Sequence, residues 1–189
     1  IGTTKVTDIA DKGPGKPALI RAKKEVRTLS GLLVAETSEI WFIQGAGGFG
    51  GERSLPAEPQ FPIPDRDPDL EVVLPTCLAQ AAIYRLSGDR NPLHIDPETA
   101  ASVGFDRPIL HGLGTMGIVA RALIHGACGG VAASLREMNV RFTAPVYPGD
   151  DIHTHIWQDG DTLHFRAFRN GTQERVIDSG FARVVHAAA

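Results

Sequence analysis

The run Tyr84-Arg-Leu-Ser-Gly-Asp-Arg-Asn-Pro-Leu-His94 sets a carboxylate (Asp89), an amide (Asn91) and an imidazole (His94) within one short stretch of chain. An ionised aspartate only accepts hydrogen bonds, whereas a histidine accepts or donates. The two together can orient one water molecule, take a proton from it and return a proton elsewhere. Such general acid–base groups contribute roughly 100- to 10,000-fold to a rate. The Asn91-Pro92 step bars a helix at residue 91 and stiffens the loop, so that Asp89 and His94 can converge. On its own, Asp-x-Asn-Pro reads equally as a loop that caps the following helix. His94 and the downstream context tilt it towards chemistry.

That context is Pro108-Ile-Leu-His111-Gly112-Leu-Gly114, which puts a glycine where the main helix should begin. Backbone N–H groups at a helix N-terminus lack partners and lie in a positive partial field. A thioester carbonyl placed there would have its developing enolate charge stabilised, and loss of one such donor costs about 100- to 1,000-fold. Close helix packing is the competing reason for a glycine at this point.

Three other patterns do not hold up. Gly45-Ala-Gly47-Gly-Phe-Gly50 matches G-x-G-x-x-G after a strand, but Pro56, Pro59, Pro62 and Pro64 forbid the helix that a dinucleotide site needs. It reads as a flexible transition from strand to linker. Asp89-x-Asn91 begins like a calcium loop, yet its sixth position is His94 and no closing glutamate follows. His153 and His155 share a strand face without an identifiable third ligand, and read as an ordinary pair. His125, His164 and His186 carry no role.

Around these residues the chain alternates. Lys5–Asp11, a strand carrying Ile20, Ala22 and Val26, and a run from Leu32 to Ile43 are separated by turns at Gly13-Pro14-Gly15 and Ser30-Gly31. Asp151–Gln158, Thr162–Phe168 and Arg175–Val185 repeat that order, with turns at Asp159-Gly160-Asp161 and Asn170-Gly171. The second copy is preceded by a helix and the Asp/His loop, the first by nothing, which reads as a chain truncated at its N-terminus. The chain also begins at Ile1. Residues 1–44 form the partial first copy, 45–69 a Gly/Pro-rich linker and 70–189 the second. Within the second, a helix is predicted over Pro75–Leu86, with Thr76 as cap and Gly88 after its end. Another is predicted from Asp96 with Pro97 in its first position. The main helix is predicted over 113–125, burying Leu113, Met116, Gly117, Ala120, Leu123 and Ile124.

With 189 residues, 42% hydrophobic and 22% charged, the chain is ordinary globular material with one good core or somewhat more. A formal net charge of -3 without a basic run argues against nucleic acid or an anionic membrane as partner. The apolar stretch Ile109–Leu135 is broken by charged residues and glycines and reads as a buried helix with loops. No basic-then-apolar leader is seen. Cys77 and Cys128 fit two buried thiols in a reducing compartment.

The Tyr84–His94 run resembles the hydratase motif of MaoC-like, R-specific enoyl-CoA hydratases. Pro108-Ile-Leu-His-Gly112, Phe142-Thr-Ala-Pro-Val-Tyr-Pro-Gly-Asp150 and Gly45-Ala-Gly-Gly-Phe-Gly-Gly51 fit the double-hotdog members of that family. The resemblance implies an α+β hotdog fold, with an antiparallel sheet around a central helix. A complete C-terminal hotdog would follow a partial N-terminal one that helps to hold the acyl chain. It makes Asp89 and His94 the dyad, Asn91 its support and a substrate-positioning group, and the Gly112 N–H the donor to the thioester oxygen. The implied reaction is reversible hydration of trans-2-enoyl-CoA to (3R)-hydroxyacyl-CoA in a homodimer. Coenzyme A would enter as part of the substrate, without metal or other cofactor. Arg90, Arg136 and Arg141 lie near enough in sequence to be candidates for its phosphates. A bacterial cytoplasmic location is expected, with no peroxisomal tripeptide at the C-terminus. The rivals are a dehydratase of carrier-protein thioesters, a thioesterase and a non-catalytic acyl-binding module.

Overall fold

The computed structural model describes residues 1–185, so that His186 and the C-terminal tripeptide lie outside the described residues. The chain divides into two compact units, Ile1–Pro59 and the part from Gln60 onward. Among the described residues no helix is long and apolar enough to cross a membrane.

The first unit is an antiparallel meander of β1 (Gly2–Asp11), β2 (Ala18–Arg27) and β3 (Leu33–Ile43), hydrogen-bonded in chain order. This is the strand–turn–strand–turn–strand order predicted for the segment. The glycine run that follows is built rather than loose. The buried Asp11 carboxylate accepts the N–H groups of Gly13 and Gly48, each at 2.7 Å, and that of Gly50. Gly48 and Gly50 have φ of +112° and +85°, and a Cβ on Gly47 would lie 2.4 Å from the Gly13 carbonyl oxygen. The run is therefore glycine-rich because the backbone wraps one carboxylate at close quarters.

Those N–H groups, Gly48 first, hold the Asp11 carboxyl below its ordinary 3.8 against the opposing effect of burial. A depressed carboxylate contributes stability that is complete above the unfolded value and lost as pH falls through the folded one. Asp11→Asn is expected to speed amide exchange at Gly48 and Gly50 by on the order of tenfold at neutral pH. The difference from the unaltered protein should shrink below about pH 4. Exchange followed by NMR from pH 7 downward checks both.

The second unit contains β4 (Leu70–Pro75), α1 (Gln80–Arg85), α2 (Pro97–Ser102), α3 (Gly112–Ala127), β5 (Leu135–Phe142), β6 (Asp151–Asp159), β7 (Thr162–Arg169) and β8 (Arg175–Val184). Its sheet runs β4-β6-β7-β8-β5, every pair antiparallel. β6 up to Ile156 and β7 up to Ala167 alternate, and send Ile152, Ile156, Leu163, Phe165 and Ala167 inward, while Trp157 is buried beside Ile156. Val119 and Leu123 of α3 join them, and each fully buried aliphatic side chain contributes about 1.5–3 kcal/mol. One long helix on one antiparallel sheet is the hotdog arrangement.

Several expectations need correction here. β4 and β5 were not foreseen, and they form the two edges of the sheet. The helix predicted over Pro75–Leu86 is only Gln80–Arg85, because Pro75 ends β4. Thr76 does not cap it; its buried hydroxyl accepts the Gly149 N–H at 2.8 Å. α3 buries Thr115, Val119, Ala122 and Leu123, whereas Leu113 and Gly117 are exposed. The helix carries apolar residues around most of its circumference, so pattern alone picked a neighbouring face. Cys128 is buried as expected, but Cys77, just beyond the end of β4, is exposed. β4 also brings Glu71 to the two strand histidines, with His153 Nδ1 at 2.8 Å and His155 Nε2 at 3.7 Å from its carboxylate.

Gly180 sits opposite Phe165, the largest fully buried side chain. A Cβ there would lie 2.4 Å from two ring carbons and 2.6 Å from the Phe165 carbonyl oxygen. The ring can shift, but the paired backbone cannot. Gly180→Ala is expected to cost about 1–3 kcal/mol in denaturant unfolding. Adding Phe165→Leu should recover none of the backbone part.

Candidate active site

The Asp/His loop is made by its own polar side chains. After α1, Gly88 at φ +113° turns the chain. The Asp89 carboxylate accepts the Asn91 N–H at 3.1 Å, and Asn91 Oδ1 accepts the Leu93 N–H at 3.0 Å. Pro92 then opens a single 3-10 turn, Pro92–His94, that delivers the imidazole. Asp96 caps α2 by accepting the Glu98 N–H at 3.0 Å, with Pro97 in the first position as predicted. The Asp-x-Asn-Pro run thus shapes the loop and presents its end groups at once. The Asn91 oxygen serves the turn.

The partner of this loop is the segment leading into α3. His94 Nδ1 lies 2.8 Å from the Ile109 carbonyl oxygen. A carbonyl only accepts, so Nδ1 carries a proton, and in the neutral tautomer that this selects, Nε2 is left as the acceptor. Leu110 N–H donates to the Val146 carbonyl at 2.7 Å, which fastens this segment to the Phe142–Asp150 loop. That loop is organised by the buried Asp150 carboxylate, which accepts the Tyr147 N–H and the Asn170 side-chain amide, each at 2.9 Å. The Pro148-Gly149-Asp150 turn is structural, with Gly149 at φ +100°.

Gly112 is the first residue of α3, following His111 as N-cap. Its N–H has no acceptor within the helix. A Cβ there would meet the Phe142 ring first, at an ordinary contact distance of 3.5 Å, so helix packing does not by itself demand glycine. Asp89, His94 and Gly112 are therefore brought to one end of α3.

His111 belongs to the run Pro108-Ile-Leu-His111-Gly112, which by itself assigns it no role. It is 2% exposed, its ring stacks on His94 at 3.7 Å between centroids, and Tyr84 lies on it at 4.3 Å. Burial, then His94, push its pKa down, against the pull of Asp89. The ligating atoms of Asp89, His94 and His111 all lie within 4.8 Å of one another. Three such donors invite a metal reading. In-plane nitrogen lone pairs must converge on one ion at about 2.0–2.1 Å. The two imidazoles lie face to face, only 28° from parallel, so their lone pairs run side by side. The cluster fits an acid–base site better than a metal centre.

A cavity of about 250 Å³ opens beside His94, lined by Leu78, Ala81, Ala82, Ile95, Arg107, Pro108 and Pro148. It is apolar apart from His94 and the guanidinium of Arg107, which stacks on Tyr147 at 4.8 Å and approaches Asp150 at 3.8 Å. A larger cavity, about 560 Å³, belongs to the first unit and contains no imidazole. Arg90 is exposed on the Asp/His loop, and Arg136 and Arg141 are exposed on β5. The cation that lines the His94 cavity is Arg107, which sequence reasoning passed over because its contacts are all distant in sequence.

A five-stranded antiparallel sheet on one long helix, with titratable groups gathered at the helix's N-terminal end, defines the second unit as a hotdog domain. The family described as MaoC like domain matches residues 60–179, and the chain belongs to it. It is 51% identical over 190 residues to 3-hydroxyacyl-thioester dehydratase Y of Mycobacterium tuberculosis, covering 96% of the chain and 65% of that protein. Enoyl-CoA hydratase ChsH3 of the same organism is 42% identical over 160 residues, covering 85% of the chain and 54% of that protein. The crystal structure of a MaoC-like dehydratase from Phytophthora capsici superposes with a TM-score of 0.87 at 41% identity, covering 99% of this chain and 65% of that one. The chain spans about half to two thirds of the length of these relatives.

Proposed function

We propose that the chain is a hydro-lyase that hydrates trans-2-enoyl-CoA reversibly to (3R)-hydroxyacyl-CoA. The observation that carries this reading is the gathering of the Asp89 and His94 side chains with His111, the residue that precedes Gly112 at the head of α3. Asp89 and His94 bind one water between them. The water oxygen attacks C3 while a proton reaches C2 on the same face. The electron pair of the double bond moves onto the thioester, whose oxygen is stabilised by the Gly112 N–H. The proton is shared by the pair and not assigned to either member. Coenzyme A enters as part of the substrate, and the chemistry calls for no further cofactor. The apolar cavity beside His94 suits the thioester end of an acyl chain. Relatives named as a thioester dehydratase and an enoyl-CoA hydratase support the reaction class in its two directions.

In the same reading the first unit is a partial hotdog repeat and residues 45–69 the linker. Two copies of the complete protein pair as a homodimer in a bacterial cytoplasm. Asn91 supports the dyad through the turn it caps, and Arg90, Arg136 and Arg141 remain candidates for the phosphates.

The relative named for 3-hydroxyacyl thioesters keeps a second substrate in view, an acyl carrier protein in place of coenzyme A. Assaying the same enoyl group on both carriers, with chiral analysis of the product, separates them. A higher kcat/KM for the CoA thioester and a 3R product are expected. Preference for the carrier protein, or a 3S product, would overturn the corresponding part.

A further inference from the structure

His111 is not accounted for by the water-binding dyad. Both of its ring nitrogens are buried and neither makes a hydrogen bond of full geometry among the described residues, although the backbone of Asp89 as well as its carboxylate faces the ring. A neutral imidazole has one N–H donor, and leaving such a group unpaired in the interior is costly. The ring is clamped between Tyr84 of α1 and His94 of the 3-10 turn. Its Nε2 lies 3.9 Å from Asp89 Oδ2, slightly beyond hydrogen-bond reach. His111 is 3% exposed at the side chain and held on both faces, whereas the Asp89 side chain is 49% exposed. The freedom to close the gap therefore belongs to Asp89. The charged and titratable groups that face the ring are Tyr84, Asp89, His94 and Arg85.

We propose that His111 is a positioning residue of this site. Its Nε2–H donates to the Asp89 carboxylate, directly or through the water held by the dyad, and keeps that carboxylate aimed at His94. The hydroxyl and N–H of Thr115 both point to the His111 carbonyl, at 3.4 and 3.0 Å, which anchors the residue's backbone at the head of α3. The same residue thus links the loop that holds the dyad to the helix whose first N–H faces the substrate.

The proposal rests on the hydratase reading for its kinetic consequence but not for its structural one, so two measurements test it. Imidazole 15N–1H correlations at neutral pH are expected to show His111 as the Nε2–H tautomer, with a resonance that moves on Asp89→Ala. An Nδ1–H tautomer, or a resonance that ignores Asp89, would overturn it. In turnover of crotonyl-CoA, His111→Phe keeps the stacked ring without the donor. It should lower kcat roughly 10- to 100-fold with KM little changed. His111→Gln, whose amide reaches the Nε2 position, should recover most of that loss. A Phe variant as fast as the unaltered chain, or no advantage of Gln, contradicts the proposal. If the Phe variant does not fold, Gln is compared with His111→Asn, whose shorter amide reaches only the Nδ1 position, and equal rates contradict it. Absence of turnover by the unaltered chain would count against the hydratase reading alone, and the resonances would then decide the role of His111.

Discussion

Asp89→Asn and His94→Gln are each expected to give folded protein that hydrates crotonyl-CoA roughly 100- to 10,000-fold more slowly. The fold should survive because neither side chain is part of the core. Asn at position 89 retains an oxygen for the Asn91 N–H, the one hydrogen bond the carboxylate makes to its loop. Loss of the imidazole forfeits the bond to the Ile109 carbonyl, worth about 1 kcal/mol. The chemistry should not survive, because the two groups hold one water and neither can take over both the acceptor and the proton-returning role. Combining the two substitutions is expected to cost little more than either alone, as for groups that act as a unit. Circular dichroism and thermal melting establish the fold, and loss of the enoyl thioester absorbance gives the rate. Near-normal turnover by either single variant would remove the dyad from the mechanism.

Gly112→Pro is the second large effect. Proline is favoured in the first position of a helix, where the missing N–H has no acceptor in the helix anyway. His111 before it already has φ −57° and ψ 136°, the extended conformation that a residue preceding proline prefers. The substitution therefore removes the one donor assigned to the thioester oxygen while leaving α3 in place. A loss of about 100- to 1,000-fold in kcat is expected, carried by the transition state more than by KM. Gly112→Ala, which keeps the N–H and places its Cβ at ordinary distance from the Phe142 ring, should retain most activity. If the Pro variant were as active as the Ala variant, the helix N-terminus would not be the oxyanion donor.

Much of this was legible in sequence because the informative features are local. The alternation in β6 and β7 follows the sheet's two faces, and the caps at Asp96 and Pro97 are read directly from residue type. β4 escaped because Leu70-Glu-Val-Val-Leu lies between a proline-rich stretch and Pro75. β5 escaped because Leu135-Arg-Glu-Met-Asn-Val-Arg-Phe buries no residue fully, with its register to β8 broken twice. In the site, Asp89, His94 and Gly112 belong to recognisable runs. The placement of His111 and Arg107 depends on a ring stacked across the loop and on a cavity lined in part by Pro148, neither of which leaves a spacing in the chain. Asp11 shows the opposite error. A glycine run that looked like loose linker is held by a carboxylate far away in sequence, and only the fold reveals the reason for each glycine.

The account stands most directly on the product formed when the folded chain meets trans-2-enoyl-CoA. Water should add across the double bond, the absorbance of the enoyl thioester should fall to an equilibrium, and chiral analysis should find the 3R alcohol still joined to coenzyme A. A folded chain that leaves the double bond untouched, or releases free thiol without hydration, would contradict it.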